Sequence, residues 1–169
     1  MELLIVRHGP AGNAAEKAAW KTSGRPDSER PLTKDGLRRT RDAAAGLARV
    51  VDGCGLVATS PWKRAAQTAV ALAKALDADV VECPALVPDS RFEDVIAWLK
   101  TRREKRLALV GHEPSLSELA SWLLTGTKRS ILRLKKPQAL LIELKKLEPG
   151  SAELVWSISP RQLRALGRR

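Results

Sequence analysis

The sequence predicts an α/β fold in which a mostly parallel central sheet is covered by helices on both faces. Short apolar runs alternate with stretches of helical periodicity from the N-terminus to about residue 125. Two further apolar runs near the C-terminus, joined by turn residues, predict an antiparallel edge. The chain has 169 residues, 44% of them hydrophobic, which is enough for the core of one domain. No repeat or break in composition divides it, so we expect residues 1–169 to form a single domain.

The first elements follow from apolar spacing and capping residues. Residues 2–6 are a short apolar run with β-branched content and predict a buried strand. Residues 10–31 form a long polar segment that could contain a short helix at 14–21 and could close over a site. Thr33 is placed as an N-cap for a helix over residues 35–51. One face of that helix carries the apolar residues Leu37, Ala44, Leu47, Ala48 and Val51.

The middle of the chain continues the same alternation. Ser60 and Pro61 predict a cap and first turn, and Gly126 predicts a helix end. The predicted strands cover residues 54–59, 79–83 and 107–110, and the predicted helices cover 61–76, 92–102 and 116–124.

The C-terminal part predicts the sheet edge. Residues 129–136 alternate apolar and basic side chains, which is typical of an edge strand that charge protects from aggregation. Strands are expected at 139–144 and 153–158, with a turn at 148–150. The last ten residues predict a short basic helix.

Charge is concentrated in the C-terminal part. The formal net charge is +11, and residues 101–169 hold fifteen Lys and Arg against six Asp and Glu. Such a region attracts nucleic acid, acidic protein surfaces or phosphorylated molecules, and a solvated basic face is the other interpretation. The segment 128–136 could dock an acidic protein partner. Aromatic residues make up only 4% of the chain and no zinc-finger spacing occurs, so nucleic-acid binding is not favoured.

Cysteine usage and hydropathy predict the compartment. Cys54 and Cys83 have no metal-type spacing and indicate a reducing environment. The N-terminal apolar run is too short for a signal peptide, and no run approaches the roughly 18 apolar residues of a membrane span. We therefore expect a soluble, cytoplasmic protein without a membrane partner, and a monomer.

Functional side chains follow three of the apolar runs. Arg7-His8-Gly9 follows the first strand, the segment 60–64 (SPWKR) follows the second, and Gly111-His112 follows a later one. His8 and His112 are the only histidines of the chain. Because parallel strands end at the same edge of a sheet, where ligands of open α/β sheets bind, we expect the three segments to meet there.

These residue types suit phosphoryl transfer. A neutral imidazole such as that of His8 is a good nucleophile toward phosphorus. Arg7 and Arg64 would disfavour its protonated form and bind phosphoryl oxygens. His112 could donate a hydrogen bond to the same group, and Gly9 would let the backbone approach it.

These segments resemble the histidine phosphatase, or phosphoglycerate mutase-like, superfamily. Arg7-His8-Gly9 matches its R-H-G motif, residues 60–69 (SPWKRAAQTA) match its S-P-x-x-R-A-x-x-T-A segment, and Gly111-His112 matches its second histidine. The chain length and residues 30–36 (RPLTKDG) resemble the small SixA-like phosphohistidine phosphatases in particular.

The resemblance implies a three-layer α/β/α sandwich and a two-step reaction. His8 would take the phosphoryl group as a phosphohistidine and water would release it, while Arg7, Arg64 and His112 form the phosphate pocket. It implies no metal and no organic cofactor, and a dication beside two arginines would be repelled.

The sequence departs from the superfamily at the general acid. Many members carry a glutamate after the middle strand, but residues 86–91 (LVPDSR) contain none. Asp89 is one candidate for that role, Glu93 begins a helix and complements its dipole, and Glu113 adjoins His112 and could orient it. A labile P–N bond needs less help from an acid, which favours protein phosphohistidine as the substrate.

Three other functions stay open. The chain could be a phosphatase of small phosphorylated metabolites or nucleotides. It could also bind nucleic acid, or a phosphorylated partner, through the basic C-terminal part without catalysis.

Overall fold

Six strands form one mixed sheet in the computed structural model, which describes residues 1–168. The strands are β1 (Glu2–Arg7), β2 (Leu56–Thr59), β3 (Asp79–Glu82), β4 (Arg106–Gly111), β5 (Ala139–Leu144) and β6 (Ala152–Ile158). They lie in the order β3-β2-β4-β1-β5-β6. The first four strands pair in parallel, β5 pairs antiparallel to β1, and β6 pairs antiparallel to β5. The predicted sheet with its antiparallel C-terminal edge is therefore confirmed.

Helices cover both faces of this sheet. They are α1 (Ala14–Thr22), α2 (Lys34–Leu47), α3 (Lys63–Leu76), α4 (Phe92–Lys100), α5 (Ser115–Thr125) and α6 (Pro160–Gly167). None of these helices within residues 1–168 combines the length and apolarity that a membrane crossing requires.

The core consists of two layers, one on each side of the sheet. Leu3 and Ile5 of β1 pack with residues of α4 and α5, whereas Leu4 and Val6 pack with residues of α2, α3 and α6. This division follows from the period of two along a strand, because successive side chains point to opposite faces. The α/β/α sandwich is thus confirmed, and β1 is buried on both faces.

Some helix ends agree with the prediction and others are shifted. The Thr33 side chain accepts a hydrogen bond from the Gly36 amide at 2.9 Å, as expected for an N-cap. Gly126 ends α5 in the left-handed region, with φ of 79°. In contrast, α3 begins at Lys63 rather than at Pro61, and α2 ends at Leu47, where a turn replaces its expected last residues.

The edge strand predicted at residues 129–136 is wrong, because this segment is an irregular loop. Its backbone groups bond to side chains instead of to a neighbouring strand. The amide of Leu134 donates to the Glu113 carboxylate at 3.3 Å, and its carbonyl accepts from Arg7 at 2.6 Å. The amide of Ile131 donates to the Ser121 hydroxyl at 2.9 Å. Leu134 is buried whereas Ile131 is 58% exposed, so the apolar residues of this segment do not share one buried face.

The register of the parallel strands brings the three predicted segments together. Arg7 of β1 is paired with Gly111 of β4, and Thr59 of β2 is paired with Val110. The ladder continues past the strands, because the His8 amide donates to the Gly111 carbonyl and the Ser60 amide to the Val110 carbonyl, both at 3.0 Å. All three strands therefore end at one edge of the sheet, where a site can be built.

Candidate active site

The two histidines lie side by side at this edge. The ring centroids of His8 and His112 are 5.0 Å apart, and the rings are tilted by 53°. Both residues are buried, with 4% and 3% of their surface exposed. The Trp62 ring meets the His112 ring edge-on at a centroid distance of 5.1 Å. The imidazoles are thus held by packing at the ends of β1 and β4.

A polar cavity of about 240 Å³ opens at the histidines. Its lining includes four residues that the sequence predicted as site residues, namely Arg7, His8, Arg64 and His112. Its other lining residues are Lys17, Asp27, Arg30, Trp62, Pro88, Glu113 and Lys136. Five of the lining residues are Arg or Lys and two are carboxylic acids, so the cavity is suited to an anion.

Each arginine has a buried donor without a protein partner. Arg7 donates from Nη1 to the Leu134 carbonyl, and Arg64 donates from Nη1 to the Asp27 carbonyl at 2.7 Å and from Nη2 to its carboxylate at 3.0 Å. The Nε atoms of both arginines are buried and have no hydrogen-bond partner within residues 1–168. Burial also lowers the pKa of both guanidinium groups. An unpaired buried donor is costly, so both guanidinium groups retain hydrogen-bonding capacity that the described residues do not use, which suits a ligand with acceptor oxygens.

A hydrogen bond orients the His8 ring. Its Nδ1 lies 2.7 Å from the Gly9 carbonyl oxygen, which can only accept, so Nδ1 carries the proton and Nε2 keeps its lone pair. Burial lowers the pKa of His8 well below its usual value, and the neighbouring His112, Arg64 and Lys136 lower it further. The predicted influence of the guanidinium groups is present, but burial is the larger cause. His8 is therefore neutral near pH 7.

His112 is neutral for similar reasons. Its Nε2 lies 3.0 Å from the Ser60 hydroxyl, which also accepts a hydrogen bond from the Trp62 amide at 3.3 Å. Burial first, and then Arg64 and Arg7, lower the pKa of His112 to about 3. Ser60 was predicted to cap a helix, but the structure gives it contact with His112 instead.

The acidic residues considered from the sequence are distributed differently from expectation. Asp89 and Glu93 do not line the cavity, and the Glu93 carboxylate pairs with Lys128 at 2.7 Å. Glu113 does line it, but its carboxylate accepts from Ser117 at 2.6 Å and from the Leu134 amide. The expectation that Glu113 orients His112 is therefore wrong, since Ser60 occupies that role. Burial raises the pKa of Glu113.

Gly9 lies beside the cavity and does not line it. Its amide donates to the Thr68 hydroxyl at 3.0 Å, and Thr68 donates in turn to the Arg64 carbonyl at 2.7 Å. A Cβ at Gly9 would collide with the Thr40 hydroxyl. The structure thus offers a packing reason for the glycine, and direct contact with a substrate stays a prediction.

Sequence reasoning missed several lining residues. Asp27 and Arg30 come from the long segment 10–31, and the Asp27 carboxylate accepts from Arg30 at 2.7 Å as well as from Arg64. Burial alone would raise the pKa of Asp27, but the hydrogen bonds and charges of Arg30 and Arg64 together lower it. Lys136 belongs to the basic segment that was interpreted as a docking surface. No periodicity marks these residues, because they lie in loops and in a single 3₁₀ turn, Asp27–Glu29.

The described residues offer no evident metal site. Within residues 1–168, no three His, Cys, Asp or Glu side chains gather so that they could hold a metal ion. The cavity's two histidines are accompanied by guanidinium groups, which suit phosphoryl oxygens better than a cation.

The fold and the paired histidines define a class of phosphoryl-transfer enzyme, and sequence comparison agrees. The profile of the histidine phosphatase superfamily, branch 1, matches residues 3–87. An uncharacterized protein of Picosynechococcus is 36% identical over 140 residues, covering 80% of this chain and 81% of the relative. The chain belongs to the histidine phosphatase superfamily, and a phosphatase that works through histidine is the activity this membership supports.

Solved structures define the branch of the family more narrowly. The chain is similar to the protein histidine phosphatase SixA in complex with tungstate, with a TM-score of 0.73 and 26% identity over 96% of this chain and 99% of SixA. The chain is therefore SixA-like. The fold is shared with a putative α-ribazole-5′-P phosphatase from Escherichia coli, with a TM-score of 0.71 and 18% identity over 95% and 97% of the two chains. The fold alone consequently leaves the substrate open.

Proposed function

We propose that the protein hydrolyses the phosphoryl group of phosphohistidine in a protein, through a phosphohistidine intermediate on His8. One observation carries the proposal: a neutral, buried imidazole with a free Nε2 lone pair shares a cavity with two arginines whose Nε donors are unpaired. Such an arrangement combines a nucleophile with preformed donors for phosphoryl oxygens. Similarity to SixA, described as a protein histidine phosphatase, supports it.

The reaction proceeds in two displacements. His8 Nε2 attacks phosphorus, a new P–N bond forms, and the bond to the substrate imidazole breaks; that imidazole has already taken a proton from solvent at its other nitrogen. Water then attacks the phosphorus, the bond to His8 breaks, and inorganic phosphate leaves. Arg7 and Arg64 stabilise the charge on the equatorial oxygens in both steps. His112 donates to one of these oxygens from Nδ1, while its Nε2 accepts a hydrogen bond from the Ser60 hydroxyl.

Neither the segment 86–91 nor Asp27 supplies the cavity with a general acid, which favours a substrate with a labile bond. Pro88 lines the cavity from the segment where many family members carry the acid, and Asp89 does not line it. Asp27 is held ionised by Arg30 and Arg64. An alkoxide leaving group needs a proton from a positioned acid, whereas a protonated imidazole leaves without one. The substrate that needs the least acid catalysis is therefore favoured.

A phosphatase of small phosphorylated metabolites is the second candidate, and Glu113 is the observation in its favour. This residue lines the cavity, and burial raises the pKa of its carboxyl group. A raised pKa favours the protonated carboxyl group, and cleavage of an alkyl phosphate needs a proton donor for the leaving alkoxide.

Turnover of matched substrates tests the proposal. The protein is incubated with a ³²P-phosphohistidine protein and, separately, with alkyl phosphate monoesters and nucleotides. We expect rapid loss of label from phosphohistidine, slow release from the esters, and an acid-labile, base-stable adduct that is absent from the His8→Ala variant. Equal turnover of both substrate types would favour the second candidate, and no turnover of either would overturn the proposal.

A further inference from the structure

Lys136 is an unpaired cation in the candidate active site. It is half-buried at the end of the basic loop and lines the cavity with Arg7, His8, Arg64 and His112. No carboxylate within residues 1–168 forms an ion pair with its ammonium group, and no hydrogen bond satisfies it there. Lys128, Arg133 and Lys135 of the same loop are instead exposed to solvent. The position of Lys136 is thus not explained by a solvated basic surface.

The surroundings of Lys136 are electrostatically unfavourable in the absence of an anion. Arg7, Arg30, Arg64 and Lys17 all face it and repel its charge. The cavity's carboxylates do not compensate, because Asp27 pairs with Arg30 and Arg64, and Glu113 accepts from Ser117 and Leu134. Burial and these neighbouring cations lower the pKa of Lys136 to about 8. A dianionic ligand in the cavity would attract Lys136 and the neighbouring cations and so offset the repulsion between them.

We propose that Lys136 is a phosphoryl-binding residue, whose ammonium group contacts an oxygen of the phosphoryl group transferred to His8. It would add a third cation to Arg7 and Arg64, supplied by the loop that follows α5. The inference rests on the proposed function, because it concerns the same cavity. The loop turns inward at Leu134, which is buried and bonded to Arg7 and Glu113, and this brings Lys136 toward the strand ends.

A change in the charge of Lys136 gives the proposal a pH signature. Near pH 7 the ammonium group is protonated, and above about pH 8 the free protein loses that charge. The guanidinium groups of Arg7 and Arg64 stay protonated in this range. His8 and His112 stay neutral, because their pKa values are lowered, and Asp27 stays ionised. Anion binding should therefore weaken on the alkaline side.

Calorimetric titration with tungstate at about pH 7 and about pH 9.5 tests this, because tungstate remains a dianion at both values. We compare the wild type with Lys136→Met, Lys136→Arg and the exposed control Lys135→Met. A charge-assisted contact implies roughly tenfold weaker binding in Lys136→Met at pH 7. The wild type and Lys135→Met should weaken to a similar degree at pH 9.5, whereas Lys136→Arg should bind equally at both.

Two results would overturn the proposal. One is wild-type affinity in Lys136→Met at pH 7, and the other is an alkaline loss that persists in Lys136→Arg, which would assign it to Lys17 or Glu113. The comparison of the wild type at the two pH values does not depend on the folding of any variant. Thermal unfolding shows whether each variant is folded. Tungstate binding needs no turnover, so absence of phosphohistidine hydrolysis would refute the proposed substrate without affecting this test.

Discussion

The imidazole rings of His8 and His112 lie 5.0 Å apart, although they follow two different strands of the sheet. Their proximity results from the parallel pairing of β1 with β4, which aligns Arg7 with Gly111. Each ring therefore occupies the same step beyond the end of its strand. Burial and shared cations keep both rings neutral, and this relationship underlies the predictions that follow.

Substitution of the nucleophile should abolish turnover. We expect His8→Ala to lower phosphohistidine hydrolysis by about a thousandfold or more, because no other group in the cavity replaces the Nε2 lone pair. The variant should stay folded and still bind tungstate through Arg7 and Arg64. Activity is measured by release of labelled phosphate and folding by thermal unfolding. Retention of a base-stable adduct in this variant would assign the nucleophile elsewhere.

Removal of Arg64 should weaken anion binding. We expect Arg64→Ala to bind tungstate roughly tenfold to a hundredfold more weakly, since a charged donor contributes about 1.5–3 kcal/mol. Lys63→Ala is the matched control, because Lys63 is the neighbouring cation but is exposed. Calorimetric titration gives both affinities. Unchanged affinity in Arg64→Ala would remove this residue from the phosphate pocket.

Neutralisation of Glu113 should separate the two candidate functions. We expect Glu113→Gln to retain phosphohistidine turnover within about threefold, because a protonated imidazole leaves without a carboxylic acid. Unfolding should become easier by about 1 kcal/mol, the usual value of one hydrogen bond lost to Ser117 or Leu134. Steady-state rates on phosphohistidine and alkyl phosphate substrates measure the effect. A large and equal loss on both would identify Glu113 as a general acid.

Acidification should destabilise the protein through its histidines. The folded-state pKa of His112 is about 3, whereas an unfolded histidine titrates near pH 6.5. Between these values the unfolded chain binds one more proton than the folded chain. The free energy of unfolding therefore decreases by about 1.4 kcal/mol for each unit by which the pH is lowered, for this group alone. Urea titrations between about pH 6.5 and 4.5 measure the slope. His112→Asn should show a shallower slope, and an identical slope would contradict the assignment.

Salt should distinguish docking of a protein substrate from binding of a small one. Arg129, Arg133 and Lys135 of the basic loop are exposed near the cavity that Lys136 lines. If they contact an acidic protein, rising salt should increase the KM for a phosphohistidine protein severalfold more than for a small phosphorylated substrate. The double variant Arg129→Ser and Lys135→Ser should reduce that difference. Equal salt effects on both substrates would argue against docking.

Local sequence was enough to predict most of the fold. Apolar residues that repeat every two positions in a strand, or every 3.6 in a helix, show which side of that element is buried. The apolar runs of β1 and β4 and the buried faces of α2 and α3 could therefore be recognised without knowledge of tertiary contacts. Their alternation implied parallel pairing, and parallel pairing implied that His8 and His112 meet. The same reasoning gave a wrong strand at residues 129–136. The backbone of this loop donates hydrogen bonds to the side chains of Glu113 and Ser121, and not to a neighbouring strand.

The sequence by itself determined the apolar strands and the residue types that Arg7, His8, Arg64 and His112 bring to the strand ends, because apolar runs and residue types are properties of the chain. Only the tertiary structure decided that Asp27 holds Arg64, that Ser60 meets His112, and that Lys136 lines the cavity unpaired. These residues belong to loops, whose course depends on packing between distant segments. Such packing leaves no repeating pattern in the sequence, and burial in that cavity sets the pKa values on which the chemistry depends.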